Sequence, residues 1–249
     1  VQDFAVPVPF TSTHPVRRAA ERQLADFRPL LELIEAPRRA EDDDSIRVFW
    51  RGLVTGEQRI LETFSLERYC CAISEERPAG ARKALSEREL VLLHRAIQAE
   101  TQKVLAAGFD LSVPAVSQLL SGSLRKLGCT CRVGSTPLPV VLVALKYCGA
   151  IQLPSTELFR FEHEGQNYLA LGLPSLDPRV LPDLSPAERQ VAWLTAVGQN
   201  PVQIAEQRKT APCTVTNQVA ALHKKLAVHG RFELIRRWAC LQWGSLGPV

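Results

Sequence analysis

The sequence predicts a mainly α-helical chain with small β elements, built as two tandem repeats of a β-hairpin plus a four-helix module. Three observations predict it. Residues 85–128 and 184–227 align without a gap at a constant offset of 99, which sets Leu105-Ala106 on Ile204-Ala205, Val116 on Val215, and Lys126-Leu127 on Lys225-Leu226. Both stretches open with the same helix-start signal, Ser86-x-x-Glu89 and Ser185-x-x-Glu188, in which a hydroxyl accepts from an orphan backbone N–H and the glutamate reaches back. The same offset carries Tyr69 onto Tyr168, each within a short run of strand-forming residues, so the repeated unit extends beyond the helices.

Residues 1–45 read as an N-terminal arm and helix. The first thirteen are rich in Val, Pro, Thr and Ser without a period, and Leu24, Phe27, Leu30, Leu31 and Ile34 then recur at helical steps. Pro37 and the run Glu41 to Asp44 mark a stop and a linker. Residues 46–80 read as a small β element: Ile46, Val48 and Trp50 alternate, and Ile60–Phe64 and Tyr69–Ile73 flank a turn at Leu66-Glu67-Arg68. Residues 81–149 form the first module, with helices expected near 87–99, 102–108, 113–127 and 137–147. Residues 150–181 hold a second hairpin around Glu164-Gly165-Gln166-Asn167. Residues 182–249 form the second module, with helices near 186–198, 201–208, 212–226 and 231–242. Gly198 suits the left-handed end of its first helix, and Pro114 and Pro212 suit the first turns of the third helices.

With 46% hydrophobic residues the chain can bury a core. No apolar run is long enough to span a membrane, and the N-terminus lacks the pattern of a secretory signal, so a cytoplasmic location is expected. Seven scattered cysteines without a Cys-x-x-Cys read as reduced thiols, and Cys129-x-Cys131 with Cys148 matches no strong zinc spacing. His94, His163 and His223 have no spaced partner, and phosphate-loop, nucleophile-elbow and zinc-protease motifs are missing, so neither an enzyme nor a cofactor is expected. The four tryptophans, Trp50, Trp193, Trp238 and Trp243, read as core or interface anchors. The net charge of +4 is placed unevenly: residues 81–148 carry nine Lys/Arg against four Asp/Glu and residues 182–249 carry eight against four, while the remaining stretches are net acidic. Positive charge on the two modules suits a polyanion, although a solvated basic face has the same count.

The second module resembles the LuxR-type helix-turn-helix of bacterial regulators. The resemblance rests on Leu184-Ser185-Pro186-x-Glu188-Arg189-x-Val191, Ala196-x-Gly198, Ile204-Ala205, Thr214-Val215 and Lys225-Leu226. The first module keeps a degenerate form of it in Leu85-Ser86, Arg88-Glu89, Leu105-Ala106, Phe109, Leu111-Ser112, Val116 and Lys126-Leu127-Gly128. The resemblance implies a bacterial transcriptional regulator that binds double-stranded DNA with its third helix in the major groove. It assigns Thr214, Thr216, Asn217 and Gln218 to base edges with Lys224 and Lys225 downstream on phosphates, and in the first module Ser117 and Gln118 with Arg125 and Lys126.

The departures from the family pattern carry information. Thr216 and Ser117 stand where the family has a lysine, Gln218 and Leu119 replace a frequent histidine, and Ala211 stands where a serine caps the third helix. Arg208 and Thr210 occupy positions the family fills with buried aliphatics, so Arg208 is expected to swing outward. Each module keeps what the other has lost, which suggests that one docks on protein and the other on DNA. Two modules in one chain form an intramolecular pseudo-dimer, or the fourth helices pair in a homodimer. The alternative is an adaptor, built from decayed modules, that binds another regulatory protein through an exposed apolar Leu119-Leu120 face. A signal-sensing role for residues 14–75 is a third reading, on a segment short for a pocket.

Overall fold

The computed structural model describes residues 42–66, 69–129, 136–154, 156–181 and 183–244. The expected N-terminal arm, the helix near 14–35 and Cys131 lie outside the described residues. The first described element corrects the sequence reading. Where strand alternation was expected, Asp42–Val54 is a helix, α1. Ile46, Phe49, Trp50 and Leu53 recur at helical steps and are at most 1% exposed, whereas Val48 is half-buried. Burial of a helical stripe overrides the local β preference of Ile and Val. The acidic run expected as a linker opens this helix at Asp42.

Two hairpins follow the sequence expectation. Strands β1 (Gln58–Leu66) and β2 (Tyr69–Glu76) pair antiparallel, as do β3 (Glu157–His163) and β4 (Gln166–Pro174). They join through β2 and β4 into one antiparallel sheet of order β1-β2-β4-β3, in which Ala72 lies opposite Leu171. Lone hairpins are marginal, and this pairing stabilises both. One sheet face supplies Ile60, Cys70, Ala72, Leu169, Leu171 and Leu173 to the main core. The other carries a second apolar cluster of Phe64, Cys71, Ile73, Phe161 and Ala170, with the Phe161 and Tyr168 rings stacked at 5.3 Å.

Each hairpin precedes four helices, within a few residues of the expected bounds. The first set is α2 (Glu87–Ile97), α3 (Gln102–Phe109), α4 (Val113–Lys126) and α5 (Leu138–Tyr147). The second is α6 (Pro186–Ala196), α7 (Pro201–Arg208), α8 (Pro212–Lys225) and α9 (Arg231–Trp243). Both expected capping boxes are formed, and Asn200 with Gln203 makes a third at the start of α7. Gly198 takes the expected left-handed conformation at φ 95°, whereas Ala99, at the matching place after α2, is forced to φ 75° despite its methyl group. Gly128 is required by close approach: a Cβ there would overlap the Ile60 carbonyl, and the Ile60 N–H donates to the Leu127 carbonyl at 2.7 Å. The end of α4 is thereby fastened to β1.

Helix α5 is apolar from Leu138 to Leu145, and each of these residues is buried. It packs against α1, α2, β2 and α9. Helix α9 turns Leu234, Ile235, Trp238 and Ala239 inward, so the fourth helices meet inside the chain. Trp238 meets Trp193 edge-on at 6.4 Å and donates from Nε1 to the Asp177 carbonyl at 2.9 Å, in keeping with an anchoring role. Arg231, at the start of α9, ties the units together. Its guanidinium donates to the Thr195 and Ala196 carbonyls at the end of α6 and to the Thr136 carbonyl before α5. Burial pulls this guanidinium down to about 9, so it stays charged at neutral pH. His94 is half-buried and stacks on Trp50 at 5.5 Å, with Tyr147 at 5.8 Å, which makes it a packing histidine. Among the described residues no single helix is long and apolar enough to cross a membrane, and no cluster of three or more His, Cys, Asp or Glu could hold a metal.

Candidate nucleic-acid interface

The candidate interface is built on α8. Val215 and Leu222 on the helix and Leu226 at its end are buried, and they hold α8 against α6 and α7. That burial leaves Thr214, Asn217, Ala221 and Lys224, at i, i+3, i+7 and i+10, on one exposed stripe. A 14-residue helix is about 21 Å long, enough to lie along a major groove about 12 Å wide. Lys209 holds the turn before α8 at φ 52°, and the Thr210 N–H donates back to the Ala205 carbonyl at 2.9 Å. Lys209 and Lys224 are exposed, and neither makes an ion pair among the described residues, so α8 has a free cation near each end. Lys209 was missed in the sequence because nothing local separates a turn lysine from any solvated one.

Other expected contact residues are committed elsewhere. The Lys225 ammonium sits 3.1 Å from Glu188, the glutamate of the α6 capping box. The Ser185 backbone N–H, then Lys225, hold the Glu188 carboxyl below its ordinary value. The Thr216 hydroxyl donates to the Pro212 carbonyl at 3.0 Å. Gln218 is half-buried, and its Oε1 accepts from Arg208 Nη1. That acceptor is therefore not free for an adenine edge. Arg208 is half-buried rather than swung fully outward, because Gln218 gives it a partner. Ala211 caps α8 with no side-chain hydrogen bond, whereas Ser112 caps α4 through the Ala115 N–H at 3.3 Å.

In the first unit Gln118 and Arg125 are exposed, but Ser117 is half-buried. Lys126 is spent on Glu89 at 2.7 Å and on the Ala84 carbonyl at 3.2 Å. Burial raises the Glu89 carboxyl, but Lys126 and Ser86 outweigh it and lower it overall. The turn residue matching Lys209 is Asp110, also left-handed at φ 52°, which sets a negative charge where the second unit has a positive one. The expected Leu119-Leu120 docking face is not there: Leu120 is fully buried and Leu119 is half-buried against the core.

Residues 182–238 match the family model of the bacterial regulatory proteins of the luxR family. This segment is a LuxR-type helix-turn-helix domain. The match runs from three residues before Ser185, the α6 N-cap, into α9, and so contains all of α8. The LuxR-type domain implies DNA-binding transcriptional regulation and belongs to a non-enzymatic family. The family model does not detect a second copy in the first unit. No curated relative and no solved structure matches the chain.

Proposed function

We propose that the chain is a sequence-specific transcriptional regulator that reads double-stranded DNA with α8, through Thr214 and Asn217 on base edges and Lys209 and Lys224 on phosphates. The observation that carries this is the free, exposed stripe on the third helix of a LuxR-type domain, opposite its buried Val215 and Leu222. Thr216, Gln218 and Lys225 support the surface and the fold more than they touch bases, given their partners within the domain.

The two units are proposed to be divergent tandem copies, with modules at 81–149 and 182–249. Several observations support this. The offset of 99 carries Ala72 onto Leu171, and these two residues lie opposite each other in the central strand pair. Such pairing is what two copies related by a local two-fold axis require. The same offset carries the Glu89–Lys126 ion pair onto Glu188–Lys225 and left-handed Asp110 onto Lys209. Joined in this way, the copies act as an intramolecular pseudo-dimer in which the first unit braces the second. Homodimerisation through fourth helices would use the outer side of α9, with Arg236, Arg237 and Leu241, since α5 is buried from Leu138 to Leu145. The adaptor alternative loses its apolar docking face with the burial of Leu120 and the partial burial of Leu119, and keeps only the missing lysines at Ser117 and Thr216 as a motive.

Fluorescence anisotropy of a labelled mixed-sequence duplex tests the reading. Affinity falls with salt, with a log–log slope of about −0.9 per phosphate neutralised, and Lys224→Glu weakens binding and flattens that slope by about one unit. A flat salt response, or wild-type binding by Lys224→Glu, overturns it.

A further inference from the structure

At the free end of the sheet, beyond the end of α1, a cleft of about 320 Å³ is lined by Gln58, Glu76, Arg160, Glu162, Asn167 and Leu169. It adjoins a hollow of about 200 Å³ reaching Val48 and Gly52 of α1. The lining comes from all four strands, so the cleft bridges the two hairpins. Its charges behave unlike their neighbours. Just outside it, Arg59 pairs with Glu75 at 2.9 Å and Arg82 with Glu57 at 3.3 Å. Inside it, Arg160, Glu76 and Glu162 make no side-chain hydrogen bond or ion pair among the described residues.

The floor is also incomplete. Gln58 is only 7% exposed, and its Oε1 accepts from the buried Ser74 hydroxyl at 3.0 Å. Its amide NH2 has no partner among the described residues and is not itself buried, so this donor is open to the cleft. Gln58 belongs to β1 and Arg160 to β3, so these two free donors lie on opposite hairpins, with two free carboxylates in the same cleft. Donors of this kind take a carboxylate, and the glutamates take an ammonium group.

We propose that this cleft is an effector site for a small zwitterion of the α-amino acid class, its carboxylate held by Arg160 and the Gln58 amide and its ammonium by Glu76 and Glu162. The volume is at the small end of ligand pockets, which start near about 300 Å³, and suits a ligand of that size. A bound molecule touches both hairpins and tightens the joint between the two units. The proposal does not depend on DNA binding.

Isothermal titration of the full chain with each of the common L-α-amino acids tests it, followed by the methyl ester and the N-acetyl derivative of any that bind. At least one amino acid binds saturably and raises Tm, while its ester and its N-acetyl form each bind at least about tenfold more weakly. Arg160 is exposed, so Arg160→Ala leaves the ligand-free Tm unchanged and weakens binding at least about tenfold. No saturable binding by any amino acid, equal binding of the ester or acetyl form, or full binding by Arg160→Ala overturns the proposal.

Discussion

The N-terminus of α8 lacks the side-chain cap that its counterparts possess, and Ala211→Ser restores it. Ala211 has φ −77° and ψ 142°, and Ser112 at the start of α4 has φ −75° and ψ 153°, so the backbone already has the conformation a capping serine needs. Ser112 accepts from the Ala115 N–H at 3.3 Å, and a serine at 211 reaches the Thr214 N–H in the same way. Alanine-to-serine exchange at a cap contributes about 0.5–2 kcal/mol. Here the lower half of that range applies, because the Thr214 N–H already donates to the Ala211 carbonyl at 3.0 Å. A gain of about 0.5–1 kcal/mol is expected, which is about 1–4 °C in Tm for a chain of this size. Urea titration of Ala211→Ser beside Ser112→Ala measures it, with the midpoint rising in the first and falling in the second at unchanged slope. A fall in stability for Ala211→Ser refutes the view that α8 starts on an open cap.

Three further outcomes follow from local geometry. Gly128→Ala sets a methyl group on the Ile60 carbonyl at φ +87° and costs more than about 2 kcal/mol, read as a lower urea midpoint; an unchanged midpoint contradicts the fastening of α4 to β1. Glu89 and Glu188 both have folded values lowered from 4.5, so their stabilisation is full above that pH and is lost as pH falls below it through the folded value. Paired Glu89→Gln and Glu188→Gln substitutions flatten the acid limb of a Tm-against-pH curve, and an unaltered limb counts against the two ion pairs. Burial lowers His94 from 6.5, so the unfolded chain protonates first and stability declines as pH drops below 6.5; His94→Gln removes that component of the decline, measured by urea titration across the range.

The helical half of the fold was legible because Ser86, Ser185 and Gly198 punctuate apolar runs at helical spacing, and these are local signals. Helix α1 was not, because Ile46, Val48 and Trp50 satisfy a strand alternation while Ile46, Phe49, Trp50 and Leu53 satisfy a helical one, and burial alone decides between them. The hairpins were readable one at a time, but the β2–β4 pairing that unites them joins residues far apart in sequence, where no local pattern acts. At the interface, the sequence located α8 and its exposed Thr214, Asn217 and Lys224. It could not separate Lys224 from Lys225, because the difference is Glu188 arriving from another helix. Leu119 and Leu120 misled for the same reason: whether an apolar pair faces solvent depends on packing partners the chain brings from elsewhere.

The exposed stripe of α8 is proposed to read bases. Selection of bound duplexes from a randomised pool, by the wild type and by Asn217→Ala, tests it most directly. An enriched motif for the wild type is expected, with preference relaxed at one base position by Asn217→Ala at a cost of about 1–3 kcal/mol and the rest of the motif retained. Absence of any enriched motif, or an identical motif and affinity for Asn217→Ala, contradicts it.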